Sequence, residues 1–148
     1  RHLNDDKLAR LPTRSEFVAM LECGDQRAYP WGNRFPPSYA SGMNYGPRAT
    51  RGSFSEGYPV HTLEDSHVVS CSVLSSGLNT WGILGAGGNV REWSYDPKTD
   101  TLYAGGGSYT TEYEFLMRCQ TTLSSDDREQ GHKGDGATGF RVFLAPQN

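Results

Sequence analysis

With 148 residues, the chain has room for one core of ordinary domain size. Its formal net charge of −3 offers no basic surface for nucleic acid, and no apolar run approaches the roughly 20 residues that cross a bilayer. The 18 glycines and 8 prolines, beside 35% hydrophobic residues, argue against a helical bundle, while 8 Tyr, 6 Phe and 3 Trp argue against disorder.

The first local signal is Leu11-Pro12-Thr13-Arg14-Ser15-Glu16-Phe17. A threonine side chain accepts from the backbone N–H three residues on, and a glutamate there reaches back to the threonine N–H. Thr13 and Glu16 have that spacing and predict a helix starting at Arg14. Phe17, Met20 and Leu21 fall on one face and Gly24 marks the end, which gives a helix of about nine residues. From Tyr29 to Tyr58, proline or glycine recurs every few residues and predicts loop, packed by Trp31, Phe35, Tyr39, Tyr45 and Phe54. Val68 to Val73 reads as a short strand with a turn after it at Ser75-Ser76-Gly77. Ile83-Leu84, Val90 to Tyr95 and Leu102-Tyr103 read as further strands. Gly105-Gly106-Gly107 asks for a backbone path that suits glycine. Gly131 to Gly139 reads as loop, and Gly139 to Leu144 alternates as a last strand. The expected class is α+β, irregular and loop-rich, with short antiparallel strands and few helices.

Few residues carry an obvious chemistry. Cys23, Cys71 and Cys119 lack CxxC spacing, so a thiolate zinc site is not expected, and the odd count allows one bridge plus a thiol. His2, His61, His67 and His132 have no ligand spacing such as HExxH and read as surface residues. No Lys-Ser/Thr follows the glycine run at 105–107, which excludes a P-loop.

Five motifs do stand in order. Arg10-Leu11-Pro12-Thr13 through Glu16-Phe17 comes first, then Tyr29-Pro30-Trp31-Gly32-Asn33 and Met43-Asn44-Tyr45. Trp81-Gly82 leads to Gly88-Asn89-Val90-Arg91-Glu92-Trp93, and Gly106-Gly107-Ser108-Tyr109 leads to Gly139-Phe140-Arg141-Val142. Each is weak alone. Together, over positions 10 to 144, the series closely resembles the sulfatase-modifying-factor family, whose founding activity is that of the formylglycine-generating enzyme. The resemblance implies a C-type-lectin-like fold. It also implies a further strand and helix ahead of the Leu-Pro-Thr helix, so residues 1–148 are expected to be one domain, the C-terminal part of a longer protein.

The family's oxidase chemistry resembles copper-dependent catalysis by two cysteines just after the Gly-Gly-Ser motif, where soft sulfur selects Cu(I). Here Thr110 to Leu116 contains none, and Arg118-Cys119 resembles a later family pair whose cysteine is structural. That departure implies no copper and a binding role, with an oxidative enzyme domain of the formylglycine-generating class as the alternative. The resemblance places a partner for Cys119 just past the helix and so implies a Cys23–Cys119 disulfide; three free thiols are the alternative. The Gly-Asn-Val-x-Glu-Trp segment resembles a structural calcium site. It implies Asn89, the Val90 carbonyl and Glu92 as hard oxygen ligands. The residues themselves equally allow Asn89 in a tight turn and Glu92 paired with Arg141.

The binding face is expected in the loops between Trp93 and Gly139, carried by Trp93, Tyr95, Tyr103, Tyr109, Glu112, Tyr113 and Arg118. Tyrosine and arginine anchor interfaces, and tyrosine among serines and threonines suits an adaptable surface. Some relatives resembled here are variable receptor-binding proteins that diversify this stretch. The implied partner is a protein or cell-surface ligand in an extracellular, cell-surface or virion-surface setting, with neither nucleic acid nor membrane insertion expected.

Overall fold

The computed structural model describes residues 7–35, 70–109, 111, 114–124 and 136–146. The predicted loop beyond Phe35, with its Met43-Asn44-Tyr45 motif, lies outside them, as does most of the predicted 131–139 loop.

Helix α1 spans Arg14–Glu22, where the capping signal places it. The Glu16 N–H donates to Thr13 Oγ1 at 3.3 Å and the Thr13 N–H donates to Glu16 Oε2 at 2.8 Å. Arg10 grips the same carboxylate through both terminal nitrogens at 2.7 Å. This arrangement holds the Glu16 carboxyl down at about 2, with the Arg10 hydrogen bonds the largest cause. The helix ends at Glu22, two residues before Gly24, because the capping residue Cys23 itself takes the left-handed conformation at φ 51°.

Four strands form the main sheet: β2 (Arg91–Asp96), β3 (Thr101–Gly105), β4 (Thr122–Ser124) and β5 (Thr138–Phe140), in the order β4-β3-β2-β5. β2–β3 and β3–β4 are antiparallel, but β5 runs parallel to β2, Arg91 opposite Thr138 and Trp93 opposite Phe140. The short antiparallel strands expected from the sequence are present, and β5 adds a parallel neighbour, so the sheet is mixed. Past β5 the same edge of β2 is taken by the helix lead-in, where the Tyr95 N–H donates to the Pro12 carbonyl at 2.9 Å. A second, two-stranded sheet joins β1 (Lys7–Arg10) to β6 (Phe143–Pro146).

Three sequence expectations for strands need revision. At Ile83-Leu84 there is an isolated bridge, Leu84 to Leu78, in place of a strand. The predicted strand at Gly139 to Leu144 is two strands in different sheets, broken at Arg141 and Val142. Arg141 causes the break by turning inward to Glu92 and to the Leu84 and Gly85 carbonyls. In the described part of Val68 to Val73 there is no strand; Val73–Ser75 is a 3-10 turn instead. Ser72 caps it, its Oγ accepting the Leu74 N–H at 3.3 Å.

α1 packs its Phe17, Met20 and Leu21 face onto the sheet, with Ala86 and Cys119 completing the cluster and Ile83 and Phe143 at its margin. Two glycines permit close approaches here. A Cβ on Gly87 would fall 2.5 Å from Pro30 Cγ, so the Pro-Trp-Gly loop and the Gly-Asn-Val loop fit only because that atom is missing. Gly107 combines φ +71° with Met117 Cγ at 3.0 Å from a would-be Cβ, which admits neither a side chain nor its backbone preference.

Candidate functional site

Asn89 sits at the entrance to β2 in the left-handed conformation, φ 57°, which asparagine tolerates better than most residues. Its side chain clamps the backbone of Cys71: Oδ1 accepts the Cys71 N–H at 2.8 Å and Nδ2 donates to the Cys71 carbonyl at 3.1 Å. Its own carbonyl accepts the Tyr109 N–H at 2.9 Å. Three residues on, both Glu92 oxygens receive Arg141, Nε to Oε2 at 2.9 Å and Nη2 to Oε1 at 2.8 Å. This fork is largely shielded, the Glu92 side chain being 12% exposed. A bidentate, shielded pair is among the stronger ionic contacts.

The donor set proposed for calcium therefore does not fit the ion as it is arranged. Asn89 Oδ1 holds an N–H, and the Glu92 charge is already met by Arg141. Calcium wants six to eight oxygens, and a metal here would first have to displace a guanidinium. The turn-and-ion-pair alternative is the one realised. Among the described residues, no group of three or more His, Cys, Asp or Glu could hold a metal ion.

The implied Cys23–Cys119 disulfide is likewise not formed: Cys23, Cys71 and Cys119 are all free thiols. Cys23 turns its sulfur back on the helix end, toward the Met20 carbonyl at 3.6 Å. Cys119 is wholly buried, and desolvation pushes its thiol up to about 12, so it stays protonated at neutral pH.

The residues expected to form one binding face are distributed over several. Partners directly across a sheet share a face, so Trp93, Ala104, Leu123 and Phe140 form one row, with Tyr95 and Leu102 beside it. This row lies on the side of the sheet away from α1. Phe140 is 70% exposed and Leu102 is 39% exposed, while Trp93 and Tyr95 are half-buried. The Tyr95 hydroxyl donates to Asp100 Oδ1 at 2.8 Å, which raises its pKa and keeps it a phenol. Tyr103, opposite Ser94, faces the helix instead, and the Arg14 guanidinium carbon lies 4.8 Å above its ring centre.

Tyr109 is half-buried and reaches toward Gly136. Arg118 is exposed and bonds Glu114 at 3.0 Å, and Glu114 also accepts the Tyr29 hydroxyl. Tyr29 in turn stacks on Trp31, centres 5.1 Å apart, forming a separate aromatic cluster. Glu112 and Tyr113 lie outside the described residues. Of the five described residues among them, Trp93 and Tyr95 share the open sheet face.

Sequence reasoning missed Phe140 and Leu102. A signal was present: from Phe140 to Pro146 the chain is apolar at nearly every position, as strands covered on both faces are. Phe140, Val142 and Leu144 indeed point out, at 70%, 49% and 48% exposure.

Comparison with known proteins agrees with this geometry. The family described as sulfatase-modifying factor enzyme 1-like domain matches residues 4–146. A formylglycine-generating enzyme of Thermomonospora curvata is 36% identical over 163 aligned residues, covering 93% of this chain and 50% of that protein. Another, of Streptomyces coelicolor, is 28% identical and covers 89% of this chain and 45% of its own length. The chain thus spans about half the length of these curated relatives. The solved structure of Treponema denticola variable protein 1 superposes with a TM-score of 0.61 over 97% of this chain and 49% of that one. At 19% identity this likeness speaks to the fold alone, and it agrees with the α+β, loop-rich C-type-lectin-like class.

Proposed function

This chain belongs to the sulfatase-modifying factor enzyme 1-like family, and from that premise we propose that it is a non-catalytic binding module. Its contact surface is the open sheet face of Trp93, Tyr95, Leu102 and Phe140, within and at the edge of the 93–139 interval. The observation that carries the reading is Phe140, a large apolar side chain 70% exposed on a hydrogen-bonded strand beside Trp93. Apolar groups clustered on a rigid sheet mark contact sites more often than isolated ones do. Aromatic anchors held by strands also lose little entropy on binding, which suits a scaffold that varies its side chains. The partner is a protein or cell-surface ligand, and the fold shared with a variable protein supports a diversified receptor-binding role.

The relatives' name favours a second reading, an oxidative domain of the formylglycine-generating class. Against it, no cysteine lies between Gly107 and Arg118, and Cys119 is a buried, protonated thiol. Peptide-display selection on the immobilised chain tests the binding reading. Enriched peptides should lose binding to Phe140→Ser and Trp93→Ala chains that retain a folded near-UV signal. Binders indifferent to both substitutions would overturn the assignment of this face.

A further inference from the structure

A cleft of about 440 Å³ opens between α1 and the turn joining β2 to β3, on the side of the sheet away from Phe140. That volume lies in the range of small-ligand sites. Its floor is one stripe of α1, Ser15, Val18, Ala19 and Glu22, at the i, i+3, i+4, i+7 spacing of a single helical face. The opposite stripe of the same helix is the one buried in the core, so α1 presents its second face to the cleft.

Elsewhere Arg10, Arg27, Arg118 and Arg141 each meet a carboxylate. Arg14, Lys98, Asp96 and Glu22 line the cleft and form no ion pair among the described residues. Arg14 is held by Nε donating to Thr122 Oγ1 at 2.7 Å and by the Tyr103 ring beneath it. Its two terminal nitrogens have no described acceptor, and neither has the Lys98 ammonium. Asp96 Oδ1 takes the Lys98 backbone N–H at 2.9 Å, which fixes the turn. At the far end Gln120 donates to one Glu22 oxygen and leaves the other.

Cation and anion are separated along the helix. Arg14 opens α1 and Glu22 closes it, about 12 Å apart along the axis. The Thr13–Tyr95 bridge keeps the Lys98 turn at the Arg14 end. An extended tripeptide spans about 10 Å. We propose that this cleft binds a short zwitterionic peptide, its carboxylate at Arg14 and Lys98, its ammonium at Glu22, and an apolar side chain over Val18 and Ala19. Guanidinium and carboxylate at opposite ends fix direction, and the apolar floor between them selects aliphatic residues.

The probe is the tripeptide Gly-Leu-Gly, followed by NMR of the Val18 and Ala19 methyls and by calorimetry. A dissociation constant on the order of 0.1 mM is expected. Lys98→Gln and Glu22→Gln should each weaken binding about tenfold, as loss of one charged hydrogen bond does. The N-acetylated, C-amidated peptide should lose about as much, and Phe140→Ser should change nothing, which separates this site from the outer sheet face. Two results would overturn the proposal: capped and free peptide binding equally well, or no methyl shift at about ten times the expected constant.

Discussion

On the α1 side of the main sheet Ser94 is fully buried and a Cβ on Gly105 would meet the Phe17 ring at 3.0 Å. On the other side Phe140 and Leu102 stand exposed beside Trp93 and Tyr95. The same strands supply both surfaces, because alternate side chains point to opposite faces. The closed side uses small residues so that a helix can approach, and its contacts are internal. The open side carries large apolar residues, of which Phe140 and Leu102 are exposed. Under the proposed function, substitutions in the core beneath α1 should cost stability, while those on the outer sheet face should cost partner binding.

The largest effect is expected on the closed face. Phe17→Ala should cost about 3–5 kcal/mol of unfolding free energy, since it empties a position that is 1% exposed, and urea denaturation measures it. Next comes the clamp that joins β6 to β2. Glu92→Gln leaves Arg141 shielded and unmatched and should cost about 2–3 kcal/mol in the same assay. If calcium occupied this place, a hundredfold excess over its Kd would add about 2.7 kcal/mol. With Arg141 already in place, the melting temperature of the unmodified chain should not rise with calcium.

Smaller still is the acid limb set by Glu16. Its carboxyl titrates at about 2 in the folded chain against 4.5 ordinarily. The stabilisation it brings is therefore complete above the ordinary value and is lost as pH falls from there through about 2. With the side chain 38% exposed, solvent screening limits the contribution to about 1 kcal/mol. Glu16→Gln should flatten that part of the stability-against-pH curve, and an unchanged slope would remove Glu16 as its source. Least of all, Phe140→Ser should alter stability by no more than about 0.5 kcal/mol while abolishing partner binding. A large loss of stability there would mean that Phe140 belongs to a core after all.

The contrast also explains what could be read in the chain beforehand. α1 was legible because everything that starts it lies within a few residues: Thr13, Glu16 and the Phe17–Met20–Leu21 stripe. The pairing of Glu92 with Arg141 was readable only as one of two choices, since the residues are 49 apart and nothing local decides between arginine and a cation. β1, β4 and the parallel seat of β5 were not legible at all; short strands acquire their identity from partners distant in sequence. Val68 to Val73 misled because its apolar run outweighed Ser72, whose hydroxyl turns the backbone into a 3-10 turn. The tyrosines misled in another way. Composition marks Tyr103 and Tyr95 as equals, while strand alternation sends one under Arg14 and the other outward.

Binding without the family's oxidase chemistry is tested by a copper(I) titration of the reduced chain against a chromogenic chelator. Free thiols of which Cys119 is buried and protonated should fail to withdraw copper(I) from the chelator, and no cysteine-containing peptide should be oxidised. Stoichiometric capture of copper(I), lost on replacing Cys119 by serine and accompanied by peptide oxidation, would contradict it.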